Sequence, residues 1–346
     1  LLQWGWLKAN GKGLEPRESI FVERVMKLIF GLAALLLFPV FARGYLVAQS
    51  MPLDDLVKEA DVIVKGTVES SEKVADESFK PFPSWAVFST RLKVVQVLKG
   101  TLADKEIDFH HYDDDIPQNQ GRMFAPQHYH FERGRSYIVF AKLTKTAGVL
   151  RPLWDYHRSQ EDQGQILAAN EKPVGAGFSV QQAIFEELAR LARGDKADDV
   201  RYAIAHLQTM STSGDGFRGT PDFPHDKVVS ILAPLLEHAN PQIAAAAIDA
   251  IGSRSPYLNG DWTGWLATVG KGTLLGRGHG KFADHWDNPD GREQRVSLVA
   301  IANKASDPAS LRAKAILALG LCKDESLLES LAKWSGDEAP EVRAAA

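Results

Sequence analysis

The hydrophobic spacing of this 346-residue chain changes at Ser179. Upstream, apolar residues fall in short runs or alternate with polar ones, as strands require. Downstream they recur every three to four residues, as amphipathic helices require. The spacing therefore predicts two regions in chain order, strands first and then helices only. That order gives an α+β, multidomain chain rather than an alternating α/β one.

The strand region opens with a short helix, because Leu53, Leu56, Val57 and Ala60 share one helical face behind Pro52. Residues 61–69 (DVIVKGTVE) are rich in β-branched side chains and read as a strand bent at Gly66. Residues 87–98 read as a second. Phe88, Thr90, Leu92, Val94, Gln96 and Leu98 lie on one face, with Arg91 and Lys93 on the other. Residues 106–110, 135–143 and 149–154 add three more. Five short strands and one helix predict a small N-terminal β-barrel over residues 51–157. Residues 158–178 are polar, with Pro173, Gly175 and Gly177 near the end, and read as a linker.

The strings ADVIVKGTVES, VVQVLKGT and GRSYIVFAK resemble the OB-like barrel shared by tissue inhibitors of metalloproteinases and netrin C-terminal modules, over residues 53–155. The resemblance implies an OB-like barrel used for protein contacts. Those inhibitors chelate the protease zinc through an amino-terminal cysteine. The single cysteine here is Cys322, so that mechanism does not carry over, and inhibition of an extracellular protease rests on fold analogy alone. One cysteine also excludes an internal disulfide, a Cys-based zinc site and a CxxC redox motif.

From residue 179 the chain reads as a helical domain running to residue 346. Ser179 is placed as an N-cap, Val180, Ile184, Leu188 and Leu191 form an apolar stripe, and Gly194 stops it. Further helices are expected near 197–210, 226–239, 241–252, 292–305, 308–321 and 324–335. The segments ADDVRYAIAHL, NPQIAAAAIDAIG, DPASLRAKAILALG and APEVRAAA align on Val200, Ile243, Leu311 and Val342. They resemble HEAT-type repeats, which implies an all-α HEAT-like array over 179–346. The last segment is cut short two turns into a repeat helix. The array is therefore expected to be truncated, with the natural protein continuing past Ala346 and the end from residue 339 poorly protected. Two insertions interrupt the pattern, at 211–225 and 256–291. The second is glycine-rich and carries Trp262, Trp265 and Trp286. These are candidate anchors for a protein partner, or plugs between repeats.

The leading segment is read apart from the fold. Residues 28–41 (LIFGLAALLLFPVF) form an uncharged apolar run behind Arg24 and Lys27, and small-x-small sites follow at 42–44 and 48–50. This is the pattern of a secretory signal peptide over residues 26–50, cleaved after Gly44 or Ser50. The run is shorter than the roughly 20 residues a spanning helix needs. Residues 1–25, ahead of Met26, read as upstream mistranslation. The expected protein is exported, periplasmic or extracellular, with no membrane span after cleavage. The lack of disulfides fits a bacterial periplasm, and a net charge of −4 argues against general nucleic-acid binding.

Five of the ten histidines lie between residues 110 and 157. His110, His111, Asp113, Asp114 and Asp115 adjoin, His128 and His130 follow two apart, and His157 comes later. Imidazole and carboxylate are zinc-type ligands, so His110, Asp113, His128 and His130 are the candidate metal ligands of a metal-dependent enzyme. The competing reading is an acidic loop beside half-exposed histidines. It is preferred because neither HExxH nor another metal spacing is present, and no cofactor is expected. GxSxG, P-loop and GxGxxG motifs are also missing. The sequence thus favours a non-enzymatic interaction module of the cell envelope with a protein partner. A metal-dependent enzyme and a protease inhibitor are the alternatives.

Overall fold

The computed structural model describes residues 52–82, 85–114, 126, 128–154, 164–212, 222–252, 292–320 and 324–346. The signal-peptide segment, Asp115, His157, Cys322 and the insertion with its three tryptophans lie outside these residues.

Helix α1 (Leu53–Glu59) buries Leu53 and Leu56 and carries Asp54 and Asp55 in its first turn, where the helix dipole favours carboxylates. The Lys99 ammonium closes its other end, donating to the carbonyls of Val57 at 2.6 Å and Ala60 at 2.5 Å. Six strands follow: β1 (Val62–Lys73), β2 (Trp85–Lys99), β3 (Glu106–Asp114), β4 (Ser136–Leu143), β5 (Val149–Arg151) and β6 (Gln165–Ala168). β1 pairs antiparallel with β2 on one side and β4 on the other. β2 pairs antiparallel with β3, β3 runs parallel to β5, and β5 meets β4 antiparallel. The mixed sheet therefore runs β1-β2-β3-β5-β4 and nearly closes into a ring on β1, with β6 added to β4 outside it.

Burial along the strands follows from this closure. β3, and β2 over Ser89–Lys93, alternate in burial, because one face lines the ring and the other meets water. β1 is buried without interruption over its first seven residues, and β4 over its first six. Their outer faces are covered as well, so even Lys65 and Thr67 of β1 and Ser136 of β4 are buried. The expected irregularity at Gly66 is present as a register shift between Lys65 and Gly66. A Cβ on Gly66 would stand 3.1 Å from that of Leu92. Gly100, which ends β2, has φ +80° and sits so close to the Asp61 carbonyl that a side chain there would clash at 2.5 Å.

Residues 158–178, read as a linker, include β6, whose four residues pair with Ser136–Val139 of β4. The N–H groups of Leu167 and Ala169 face away from β4. They donate to the Tyr202 hydroxyl at 3.0 Å and a Glu187 carboxylate oxygen at 2.8 Å. Helical side chains thus take the place of the next strand and blunt the sheet edge.

The helical region holds α2 (Val180–Ala192), α3 (Ala197–Thr212), α4 (His225–Leu232), α5 (Pro241–Gly252), α6 (Arg292–Asn303), α7 (Ala309–Gly320), α8 (Leu328–Trp334) and α9 (Pro340–Ala345). In one row α3 packs on α5, α5 on α7 and α7 on α9, while α2, α4 and α6 pack against that row from the other side. The four aligned positions all fall in the first row. Val200, Ile243, Leu311 and Val342 are each at most 5% exposed. The end from residue 339 was expected to lack packing, but α9 buries Val342 completely against its neighbour α7. The helix expected over 226–239 leaves α-geometry at Leu232 and continues as a 3₁₀ turn, Ala233–Glu237, because Pro234 has no N–H to donate. A second 3₁₀ turn, Glu325–Leu327, precedes α8 under an Asp324 cap.

The described residues form one compact unit, and the buried apolar side chains of sheet and helices make one continuous core. Polar links cross the boundary. The Lys65 ammonium of β1 lies 3.0 Å from the Glu187 carboxylate of α2, both side chains fully buried, and donates to the Lys172 carbonyl at 2.6 Å. Arg190 donates to the same carboxylate at 2.9 Å. Burial pushes the Lys65 ammonium below the usual lysine range, against the opposing pull of Glu187. Arg135 pairs with Asp199, and the Val174 N–H donates to the Gln96 side chain at 2.8 Å.

Candidate functional site

The histidines gather at the end of the ring where β2 begins and β3 ends. On β3 the odd residues Ile107, Phe109 and His111 point inward and are buried, whereas Asp108 and His110 are half-exposed. His110 and Asp113 are three residues apart on a strand, so they lie on opposite faces. The four candidate ligands accordingly separate. His110 Nδ1 is 2.7 Å from Asp76 Oδ2. His130 Nδ1 is 3.5 Å from Asp113 Oδ2, with the imidazole mostly in solvent. His128 donates from Nδ1 to the Pro126 carbonyl at 3.2 Å and stacks at a tilt on Trp85, ring centroids 4.5 Å apart. Among the described residues no group of three or more His, Cys, Asp or Glu side chains is placed to hold a metal ion.

The pairs shape their own titration. Burial pushes the Asp76 carboxyl up, but hydrogen bonds from His110 and Ser78 more than offset this, and the net shift is downward. The hydrogen bond to Asp113 raises His130.

The histidine the spacing passed over is the one built into the core. His111 is wholly buried, and its ring lies 5.6, 6.0 and 5.0 Å from those of Phe109, Tyr129 and Phe131. Its Nδ1 faces the Tyr112 carbonyl at 3.0 Å, and an acceptor-only partner makes Nδ1 the protonated nitrogen. Nε2 is then an acceptor, so the Thr90 hydroxyl at 2.7 Å donates to it. Ser71, 2.8 Å away, in turn donates to Thr90. A directed chain therefore leads from the exposed Ser71 hydroxyl to a buried imidazole. Burial holds His111 down at about 4, against the raising effect of the Tyr112 carbonyl. The signal for this was the parity of His111 with Phe109, which places it among the inward residues.

A separate open depression of about 610 Å³ lies on the outer face of β2 and β3, bordered by Arg91, Asp104, Lys105, Glu106, Asp108 and Gly148. Arg91 donates two hydrogen bonds to Asp108, at 2.9 and 3.2 Å. The lining mixes both charge signs.

No family model, curated protein or solved structure matches the chain. Its chemistry is therefore argued from its own residues.

Proposed function

We propose that this chain is an exported, non-enzymatic binding protein of the cell envelope that engages a protein partner through its helical region. The observation that carries the reading is the placement of exposed aliphatic side chains. Val296 on α6, Leu317 on α7 and Leu328 on α8 are 69%, 59% and 64% exposed. They occupy three successive helices, and Val296 and Leu317 stand at matching distances from the α6–α7 turn. Aliphatic side chains held this far into water on a helical array are available to a protein partner.

Two further features support it. The nearly closed mixed sheet with its parallel β3–β5 pair suits the OB-like barrel that the resemblance to the metalloproteinase-inhibitor and netrin modules implies. The stacked row α3-α5-α7-α9 with equivalent buried positions suits HEAT-type repeats, which present extended binding faces. Trp262, Trp265 and Trp286 remain proposed anchors for the same partner.

The test compares proteins captured from envelope extract by the wild-type chain and by Val296→Asp/Leu317→Asp/Leu328→Asp, with circular dichroism confirming both are folded. A protein held by the first and lost by the second is the expected result. Identical capture by both overturns this surface.

A further inference from the structure

We propose that the connection between β1 and β2 is a latch across a weak seam of the strand ring, and that lifting it lets β5 part from β3 and opens the ring there. The seam is short. β2 pairs with β3 from Trp85 to Lys93, and β1 pairs with β4 from Val62 to Thr67. Among the described residues β3 meets β5 at Asp108–Val149 and Phe109–Leu150, in a parallel pair, and β5 meets β4 at Lys142–Arg151 and Leu143–Leu150. A parallel ladder of two residues is a weak closure. Behind it lie Phe109 and Leu150, each at most 1% exposed, so a parting here is a way into the ring interior.

The connection reaches that seam from outside. Tyr112 has the parity of Asp108 and His110, on the outer face of β3, yet it is buried. Two rings of the connection stand edge-on to it, Phe79 at 4.9 Å and Phe82 at 5.4 Å between centroids, and its hydroxyl donates to the Lys80 carbonyl at 2.8 Å. Phe79 is buried between the exposed Ser78 and Lys80. The Arg151 guanidinium of β5 lies over the same Phe79 ring, 5.6 Å from its centroid. One side chain therefore touches both strands of the seam, at Tyr112 and at Arg151. Asp76, facing His110 at 2.7 Å, is a further anchor on β3. The connection is also shaped for its seat. The Asp76 carboxylate accepts from the Ser78 N–H at 2.9 Å and the Ser78 hydroxyl at 2.7 Å, and the Phe79 N–H closes a turn on the Asp76 carbonyl at 3.1 Å. Pro81 and Pro83 confine Lys80 and Phe82 to extended backbone. A pre-turned segment loses little freedom on seating, so few contacts hold it down. Residues 75–82 belong to no helix or strand, so lifting them breaks no ladder.

Amide exchange of the full chain tests this, comparing wild type with Phe79→Ala. An edge-to-face contact and a cation over the same ring together shift a local opening equilibrium by about tenfold. Exchange should quicken by that much at residues 149–151 and at Asp108, whose N–H donates to the Gly148 carbonyl at 2.8 Å, while the Val62–Thr67 ladder with β4 keeps its protection. Arg151→Met leaves Phe79 on Tyr112 but unties β5, so it should quicken the same amides. Adding Phe79→Ala to it should change them little further, because either change alone breaks the one link. Unchanged seam exchange in either single variant, equal quickening of the β1–β4 ladder, or effects that simply multiply in the double variant overturn the latch. Should Phe79→Ala fail to fold, Arg151→Met decides alone, by the same seam amides measured against the same ladder.

Discussion

Phe109, Tyr129, Phe131 and Tyr137 fill the strand ring, whereas Ala203, Ala247, Ala302 and Ala315 sit buried in the helical rows. The difference is geometric. A ring of strands has a diameter fixed by strand number and tilt, so large side chains must fill it. Packed helices have no fixed separation, and small side chains let them approach closely. Polar content differs as well. Lys65, Thr67, Thr90, His111 and Ser136 are buried in the sheet, against Glu187, Ser211 and Arg312 in the helices. The ring keeps hydroxyls and an imidazole paired to one another. The helices mostly exclude such groups, and Glu187 is the one that reaches across to the sheet.

The largest test of this contrast is at the joint. Glu187→Ala leaves a buried ammonium at Lys65 and two unanswered donors, the Ala169 N–H and Arg190. Chemical denaturation should show a loss of about 3–5 kcal/mol. Adding Lys65→Met should restore much of it, because an apolar pair of similar volume replaces the ion pair without a stranded charge. Monitoring strand and helix signals together should give one shared transition. A cost below about 1 kcal/mol, or two separate transitions, would break the picture of a single body joined at Glu187.

A smaller effect separates the two ways of filling. Ala247 is fully buried in α5, the helix that packs on both α3 and α7. Ala247→Leu should push α5 away from α3 or α7 and cost about 1–3 kcal/mol by overpacking. A neutral result would mean that the rows are not closely approached, and the contrast with the ring would lose its basis.

How far the sequence foretold these regions depends on the length of the signal. The four segments aligned on Val200, Ile243, Leu311 and Val342 have eight residues or more, and all four positions are buried in one row. The β-branched residues of β1 and the apolar run of β4 were equally legible as strands. β6 was not, because QILA is four residues inside a polar stretch, and only its pairing with β4 makes it a strand. Lys65 was not either. Within VIVKG a lysine reads as the solvent face, and its partner Glu187 is 122 positions away in the numbering. For the histidines, composition suggested one cluster, but strand parity separates His110 from Asp113 and sends His111 inside. That parity was available, and counting histidines obscured it.

The smallest effect concerns how α2, the helix that carries Glu187, is started. The Ser179 hydroxyl accepts from the Gln182 N–H at 3.2 Å, and the Gln182 side chain accepts from the Ser179 N–H at 2.9 Å. This reciprocal capping box satisfies two donors that the helix itself cannot. Ser179→Ala removes the serine half and should cost about 1 kcal/mol, seen as a melting temperature lowered by roughly 2–4 °C. Ser179→Asp retains an acceptor and adds a charge favoured at a helix start, so it should stay near wild type. The comparison is sharpened by where the loss is felt. Ser179 is exposed, so its removal opens no cavity and strands no buried charge, unlike the change at Glu187. Amide exchange should therefore quicken only in the first turn of α2, with Glu187 and the β6 edge still protected. If Ser179→Ala instead loosened Leu167 and Ala169, the start of α2 and the sheet edge would be one cooperative element, and the joint would begin at the cap rather than at the ion pair.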